Sequence, residues 1–533
     1  MNLYKKIPIL ALSGLVATAL ASAGEATRPD AKPNILIILV DDMGYSDIGC
    51  FGSEIKTPNI DRLAAKGMKF SQMYNTGKCY PTRACLQTGV YYQRTDLDFS
   101  KTATLGELLQ PAGYHTWWAG KNHAHFNPVT RGYEHYYGMI GGAENHFNPG
   151  DRPAAPGLPA PASKGKGATW ADDAVEMKRF TPKDPKFYDT DAFTDRGLQW
   201  LDKYANDGKP FLLYMAYTAP HWPLQAWPED IAKYKGVYDG GFEAVRQARY
   251  KRQIELGLLD PKTSPLPPLE ELKRKKKDKA DGPPGDERLK EATRMEIYAA
   301  MVDRVDQNIG RLIKKLEAQG KLENTLIMFL SDNGACTEGP KVDNADPKAP
   351  LGSVASFVNY GQNWATVSNT PLRKWKTDSF EGGISTPLVV HWPAGIIPQS
   401  GWNREPAHLI DIMPTLAAVS GAKYPGASKQ SAIPPMDGVS LLPAFKGQAI
   451  KRTTPLFFQY AKGSAIRDGQ WKLVRNSPGW ELYDLSADRN EINNVAAKHS
   501  EIVQKMDAQW KAWWLDCTGS EWTGTPPKEK DEE

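Results

Sequence analysis

The chain is expected to fold as an α/β protein: a large, mostly parallel sheet flanked by helices, with a small α+β subdomain near the C-terminus. Three observations point there. Unbroken apolar runs rich in branched residues, Ile35-Leu36-Ile37-Ile38-Leu39-Val40 foremost, read as strands buried on both faces. Segments with apolar residues at helical spacing separate these runs. After about Ile450 the pattern changes to short strand-like segments joined by turn residues. With 41% hydrophobic residues in 533, there is chain enough to bury a sizeable core.

Taken in order, Lys5 and Lys6 precede an apolar run, Ile7 to Leu20, which Ala21-Ser22-Ala23 closes. Basic, apolar and small residues in that order form an export leader over residues 1–23. The run is short for a bilayer, and no second one of membrane length follows. The expectation is therefore an exported protein, periplasmic or secreted, without stable membrane insertion. The formal charge of +4 is no electrostatic footprint for nucleic acid. The basic run Lys273–Lys277 is followed by Asp278, Asp281, Asp286 and Glu287 and reads as a solvated loop. Five cysteines (Cys50, Cys79, Cys85, Cys336, Cys517) leave at least one sulfur outside any pairing, and no C-x-x-C is present.

The strand Ile35–Val40 runs straight into Asp41-Asp42, and Thr57-Pro58-Asn59-Ile60-Asp61 opens a helix carrying Leu63, Ala64 and Met68. Phe211–Ala216 is a buried strand that leads to Thr218-Ala219-Pro220-His221. A long helix, about Arg294 to Gln319, precedes the strand Leu326–Leu330, which ends in Ser331-Asp332-Asn333-Gly334. Pro387–Val390 is a fourth strand. Two segments, about 150–166 and 258–291, are dense in Pro with Gly or Lys and read as surface insertions that build no core. The main domain thus spans 33–445. A subdomain at 450–516 has strands at Pro455–Tyr460, Ser464–Val474 and Trp480–Leu485 and a helix at Glu501–Trp514, and 517–533 is a polar tail.

In such sheets ligands gather beyond the carboxyl ends of the strands, where Asp41-Asp42, His221 and Asp332-Asn333 all fall. Either acidic pair alone serves equally well as a cap or turn. Together, three carboxylates and an amide make a hard oxygen set suited to Ca²⁺ or Mg²⁺. Cys79 lies in Thr76-Gly77-Lys78-Cys79-Tyr80-Pro81-Thr82-Arg83. A thiolate-type phosphatase loop needs its Arg six positions after the Cys; here it comes at four, which disfavours an unmodified thiolate nucleophile.

Cys79-x-Pro81-x-Arg83 resembles the signature of type I sulfatases, relatives of alkaline phosphatase in which this cysteine is oxidised to formylglycine (3-oxoalanine). The likeness runs in order through Asp41-Asp42-Met43-Gly44, Leu86–Gly89, Gly120-Lys121-Asn122-His123, Pro220-His221, Asp332-Asn333-Gly334, Leu372-Arg373 with Lys376 and Glu381-Gly382-Gly383, Asp411–Thr415 and Trp480–Leu485. It departs at Asn122, Lys374-Trp375 and Ser385, where the family usually has Trp, a Gly-rich pair and Arg. The resemblance implies hydrolysis of a sulfate ester on an aryl group or, by preference, a carbohydrate. In that family the hydrated aldehyde offers two oxygens, one to attack sulfur and one to expel sulfate afterwards. It assigns the nucleophile to residue 79, help in holding it to Arg83, and clamping of sulfate oxygens to Lys121 and Lys376. His123 would assist loss of a hydroxyl proton and His221 would protonate the leaving alcohol. One divalent cation, Ca²⁺ by preference, would be held by Asp41, Asp42, Asp332, Asn333 and residue 79, and a formylglycine-generating maturase is an implied partner.

His125 and His146 are candidate pocket liners. Trp117, Trp118, Tyr136, Tyr137, Trp222 and Trp227 either stack on a leaving group or, the commoner fate, pack in the core. Two rival readings share these features: a phosphonate monoester or phosphodiester hydrolase of the same superfamily, and a non-catalytic binder of sulfated glycans.

Overall fold

The computed structural model describes residues 32–163, 167–269, 291–339, 348–397, 401–427, 432–476 and 479–524. The leader at 1–23, the basic run at Lys273–Lys277 and the end of the chain lie outside them.

Fourteen strands form two sheets among the described residues. The first ten are β1 (Asn34–Val40), β2 (Met68–Tyr74), β3 (His115–Gly120), β4 (His135–Met139), β5 (Trp170–Asp172), β6 (Val175–Met177), β7 (Phe211–Ala216), β8 (Thr325–Ser331), β9 (Ser385–His391) and β10 (Ala407–His408). They make one sheet in the order β10-β2-β9-β8-β1-β7-β3-β4-β5-β6. Its centre, β8-β1-β7-β3-β4, is parallel. Strand β1 shows why it sits there. Ile35, Ile37 and Leu39 point into one core and Leu36, Ile38 and Val40 into the other, so both faces exclude water. At about 1.5–3 kcal/mol per fully buried branched side chain, this short run contributes heavily to the sheet.

β9 is antiparallel to both neighbours, β8 and β2. The fourth strand expected at Pro387–Val390 therefore exists but runs backwards. This reversal matters for the site, because residues just before β9 emerge at the same edge as residues just after β1, β2, β3, β7 and β8. The sequence reading missed β2. Its helix ends at Ala65, and Met68, expected on the helical face, starts the strand instead. Gly67 makes the break: a side chain there would meet the Val390 carbonyl at 2.1 Å.

The second sheet is antiparallel: β11 (Leu456–Tyr460), β12 (Gly463–Asp468), β13 (Trp471–Arg475) and β14 (Glu481–Asp484), in that order. The helix after it runs from Ser500 to Thr518, so the tail expected from 517 begins later. Trp522 packs on Trp510 and Trp514 at 4.9 Å each. The expected insertion at 258–291 is corrected in its described part. Leu258 is buried in the core, Arg489 N–H donates to Thr263 O (2.8 Å), and Asn490 Nδ2 donates to Pro265 O (2.7 Å). The segment at 150–163 is likewise tied down in part, with Ala162 N–H donating to Val354 O (2.9 Å).

A buried ionic cluster joins the small sheet to the large one. Glu381, just before β9, takes Lys472 Nζ at 2.8 Å and Tyr74 OH at 2.9 Å, and also pairs with Arg489. Lys472 lies 2.7 Å from Glu491 as well, and all three of Glu381, Lys472 and Glu491 are fully buried. Burial pulls the Lys472 ammonium down to about 8, against the opposing pull of Glu491. Removing one partner strands the others in the core. Lys472→Met is therefore expected to lower unfolding free energy by about 3–5 kcal/mol, read as the midpoint of guanidinium denaturation.

Candidate active site

The residues singled out at the sheet edge are carried there by several separate elements. Asp41 and Asp42 follow β1, Lys121 follows β3, His221 follows β7, and Asp332 and Asn333 follow β8. Lys376 lies on the loop before β9. Cys79 opens the helix Cys79–Thr88, reached from β2 through Asn75–Lys78. Its position at the first turn points free backbone N–H groups toward whatever binds beside the sulfur, a setting that favours an anion. Arg83, one turn on, shares that face of the helix.

The carboxylates converge and are buried. Lys121 Nζ reaches Asp41 Oδ2 at 2.6 Å, and Lys376 Nζ reaches Asp42 Oδ1 at 2.7 Å. Arg83 Nη2 lies 2.9 Å from Asp332 Oδ2 and 3.6 Å from Asp41 Oδ2. Asn333 Nδ2 donates to Asp42 Oδ1 (2.7 Å), and the backbone N–H of Asp42 donates to Asp332 Oδ1 (3.2 Å). Asp42 adopts a left-handed φ of 66°, a strained setting, and carboxylate oxygens of Asp41 and Asp42 and a ring nitrogen of His221 lie within 4.8 Å of one another. Oxygens of Asp41 and Asp332 and the sulfur of Cys79 lie within 4.8 Å of one another.

The electrostatics follow from these pairings. Burial raises the Asp41 carboxyl, but Lys121, His221 and Arg83 outweigh it and hold the group well below the usual range. Asp42 is lowered too, burial being overcome by Lys376 and His221. Burial and the neighbouring Asp41 charge push Asp332 up. Burial brings the His221 imidazole down to about 4 despite the attraction of Asp42 and Asp41. Its Nδ1 donates to the Trp222 carbonyl (2.5 Å), leaving Nε2 facing Asp42 Oδ2 at 3.4 Å.

Three oxygens in this cluster are buried and accept no hydrogen bond: Asp41 Oδ1, Asp42 Oδ2 and Asn333 Oδ1. A buried acceptor without a donor is costly. Three of them from the very residues expected to ligate form a donor set that fits one hard divalent cation.

The remaining expectations divide. His123 has a left-handed φ of 58° and stands edge-on to Tyr80 at 6.1 Å. It helps to line a cavity of about 520 Å³ with Tyr80, Tyr92, Phe99, Gln459 and Trp514, so the C-terminal subdomain contributes walls next to the helix Cys79–Thr88. Trp117, Trp118 and Tyr136 are wholly buried and pack in the core. Trp222 lies against His221, while Trp227 lines an apolar cavity of about 570 Å³ with Phe147 and Leu351. His125 lines a separate cavity with Asp98 and Arg131. His146 is instead buried; it is 1% exposed and its ring is hydrogen-bonded on both sides. Sequence reasoning missed Glu338, which pairs with Lys78 at 2.8 Å and lies 3.9 Å from Lys376. A Glu in a loop of mixed composition carries no signal by which to find it. All five cysteines are free thiols.

Comparison with known proteins agrees with this arrangement. The sulfatase family model matches residues 33–422, and the model for the C-terminal region of N-sulphoglucosamine sulphohydrolase matches 376–513. An uncharacterized sulfatase from Schizosaccharomyces pombe is 33% identical, over 90% of this chain and 93% of its own. An arylsulfatase from Klebsiella aerogenes is 32% identical, over 81% and 96%. Among solved structures, Ps i-CgsB is 28% identical with a TM-score of 0.66, covering 93% of this chain and 95% of its own; it has also been solved with k-i-k-neocarrahexaose.

A divalent cation is expected to raise the melting temperature of the chelator-treated protein. At about a hundredfold excess over Kd the stabilisation is about 2.7 kcal/mol. Asp42→Asn is expected to abolish most of that shift, as followed by calorimetry with Ca²⁺ and with EDTA.

Proposed function

The chain belongs to the sulfatase family and is a sulfuric ester hydrolase, and we propose that its substrate is a sulfated carbohydrate. Residue 79, after oxidation of its cysteine to formylglycine, serves as nucleophile. One divalent cation, Ca²⁺ by preference, is held by Asp41, Asp42, Asp332 and Asn333 beside it; when bound it supplies Lewis-acid neutralisation of negative oxygens. The observation that carries this reading is the trio of buried, unpaired oxygens on Asp41, Asp42 and Asn333, together with the Cys79 sulfur within 4.8 Å of carboxylate oxygens of Asp41 and Asp332.

The chain's own residues do the rest. A sulfate ester surrounds its sulfur with anionic oxygens, so an attacking oxygen needs positive charge nearby and a fixed line of approach. Lys121, paired with Asp41, and Lys376, paired with Asp42, clamp sulfate oxygens, each keeping its Asp partner as anchor. Arg83 holds the nucleophilic side chain from one helical turn away, its own orientation set by Asp332 and by the Lys121 carbonyl at 3.3 Å. The N-terminus of the helix Cys79–Thr88 adds backbone dipoles aimed at the developing negative charge.

His221 delivers a proton to the departing alcohol. With only these side chains around it the ring is neutral at pH 7, and Nε2 carries a lone pair. A bound ester places a negative charge beside the ring and raises its proton affinity, so protonation accompanies substrate binding. His123 lies on the cavity side and is the base that draws a proton from the nucleophile's second hydroxyl.

Two features support a carbohydrate leaving group. The cavity beside Tyr80 combines aromatic faces with the Gln459 and Gln93 amides, a lining that suits a sugar ring. Ps i-CgsB, the 28% identical structural relative, has been solved with an oligosaccharide. Export to the periplasm or beyond agrees with an external polymer as the source.

Cys79→Ala and Asp332→Ala are each expected to remove at least about 99% of aryl sulfate hydrolysis while the fold persists, checked by initial rates and circular dichroism. Full activity in either variant sinks the assignment. His221→Ala is expected to cost roughly a hundredfold on phenyl sulfate but far less on p-nitrophenyl sulfate, whose leaving group needs little proton help. Equal losses on the two esters would remove His221 from the acid role. Side-by-side rates on an aryl sulfate and an aryl phosphodiester should favour the sulfate.

A further inference from the structure

We propose that Asp189 and His146 form a buried clamp that fixes His221 in place, making both of them positioning residues for protonation of the leaving group. The inference rests on the reading of His221 as the acid.

His221 ends a turn that leaves β7. The turn closes through its own N–H, which donates to the Thr218 carbonyl at 3.0 Å. One carboxylate secures both ends of that turn. At the start, the Thr218 hydroxyl donates to Asp189 Oδ2. At the finish, the His221 carbonyl accepts from His146 Nε2 at 2.9 Å, while His146 Nδ1 lies 2.8 Å from the same Asp189 oxygen. His146 and Asp189 are 1% and 0% exposed, so water cannot substitute for any of these contacts.

The clamp is itself rigid. Asp189 is the first residue of the helix Asp189–Tyr204, where negative charge is favoured, and its Oδ1 accepts from Thr190 N–H at 2.6 Å. The backbone of His146 is held twice. Its N–H donates to Gln225 Oε1 (2.9 Å), and its carbonyl accepts from Asp189 N–H (2.9 Å). Gln225 is anchored in turn to the carbonyls of Ser353 and Ser356 at 3.1 and 3.0 Å.

Both ring nitrogens of His146 face acceptors, a carbonyl and a carboxylate. Only the imidazolium donates to both, and Asp189 supplies its counter-charge. Burial opposes that charge, but Asp189 more than restores it, and the ring is raised above its ordinary value. The cationic ring thus grips the peptide unit of residue 221 by a charge-assisted hydrogen bond. The ring itself is oriented by contacts with its own neighbour and with Asp42: Nδ1 donates to the Trp222 carbonyl, the Trp222 ring stacks on it at 5.3 Å, and Nε2 stands 3.4 Å from Asp42. A general acid displaced by about 1 Å loses much of its effect, so the peptide plane from which the ring hangs is a natural point of control.

A purely structural anchor predicts equal losses on all substrates; a positioning role predicts losses graded by leaving group. The test uses matured full-length protein and kcat/KM over a series from p-nitrophenyl to phenyl sulfate. His146→Gln is expected to lose roughly tenfold or more on phenyl sulfate and several-fold less on p-nitrophenyl sulfate. In a His221→Ala background the same substitution should add no further graded loss. Asp189→Asn and Thr218→Val, which cut the clamp elsewhere, should reproduce the gradient more weakly, and they carry the test if His146→Gln does not fold. Flat losses across the series, or graded losses that persist without His221, would overturn the clamp. A flat profile for His221→Ala alone would instead remove the acid reading beneath it, and the two failures are told apart by that single variant.

Discussion

The constraint on which the rest of this structure depends is the confinement of three carboxylates, Asp41, Asp42 and Asp332, to one dry edge of the sheet. Like charges at about 4 Å repel by about 4 kcal/mol even at an effective dielectric of 20. Such a group persists only if cations are brought to it. Lys121, Lys376 and Arg83 come from three separate elements, each aimed at a particular oxygen. Three oxygens of Asp41, Asp42 and Asn333 are left without donors, a set whose chemistry suits a divalent ion. The same cations that stabilise the protein's acids are, in the proposed reaction, the groups that receive sulfate oxygens.

Delivering those cations requires an unusual stretch of sheet. Because β9 runs against its neighbours, the loop before it lands among loops that follow parallel strands, and Lys376 arrives where Asp42 waits. That loop is held from behind by the C-terminal subdomain. Glu381 is gripped by Lys472 and Arg489, and Arg489 Nη2 also reaches Ser385 Oγ at 3.1 Å. Ser385 is one of the positions where the chain departs from the family pattern, and a guanidinium reaches it from 104 residues downstream. The small sheet is therefore part of the active-site scaffold, and its Gln459, with Trp514 of the helix that follows, also walls the cavity beside Tyr80.

The histidines show how little a residue type says without its surroundings. His221 and His146 sit in one network, yet burial lowers the proton affinity of the first while Asp189, against burial, raises that of the second. The roles proposed for them differ accordingly: one ring for the leaving group, the other as the hold on its backbone. Nothing in their flanking residues separates them, and His125, equally plausible on sequence, faces another cavity altogether.

Much could be read from the chain alone, for a physical reason: strands buried on both faces must be uninterrupted apolar runs, and residues joined covalently to their ends must emerge together. The parallel core, the acidic pairs after β1 and β8, the spacing of Cys79 and Arg83 on one helical face and the antiparallel C-terminal sheet are of this local kind. Only the folded chain decided the direction of β9, the strand β2 hidden behind a helical pattern, the packing of Leu258, and the partners of each carboxylate. Asp42 meets Lys376 across 334 residues and Arg83 meets Asp332 across 249. Contacts over such separations follow from which sheet edges face one another, and no period or motif in the sequence encodes that.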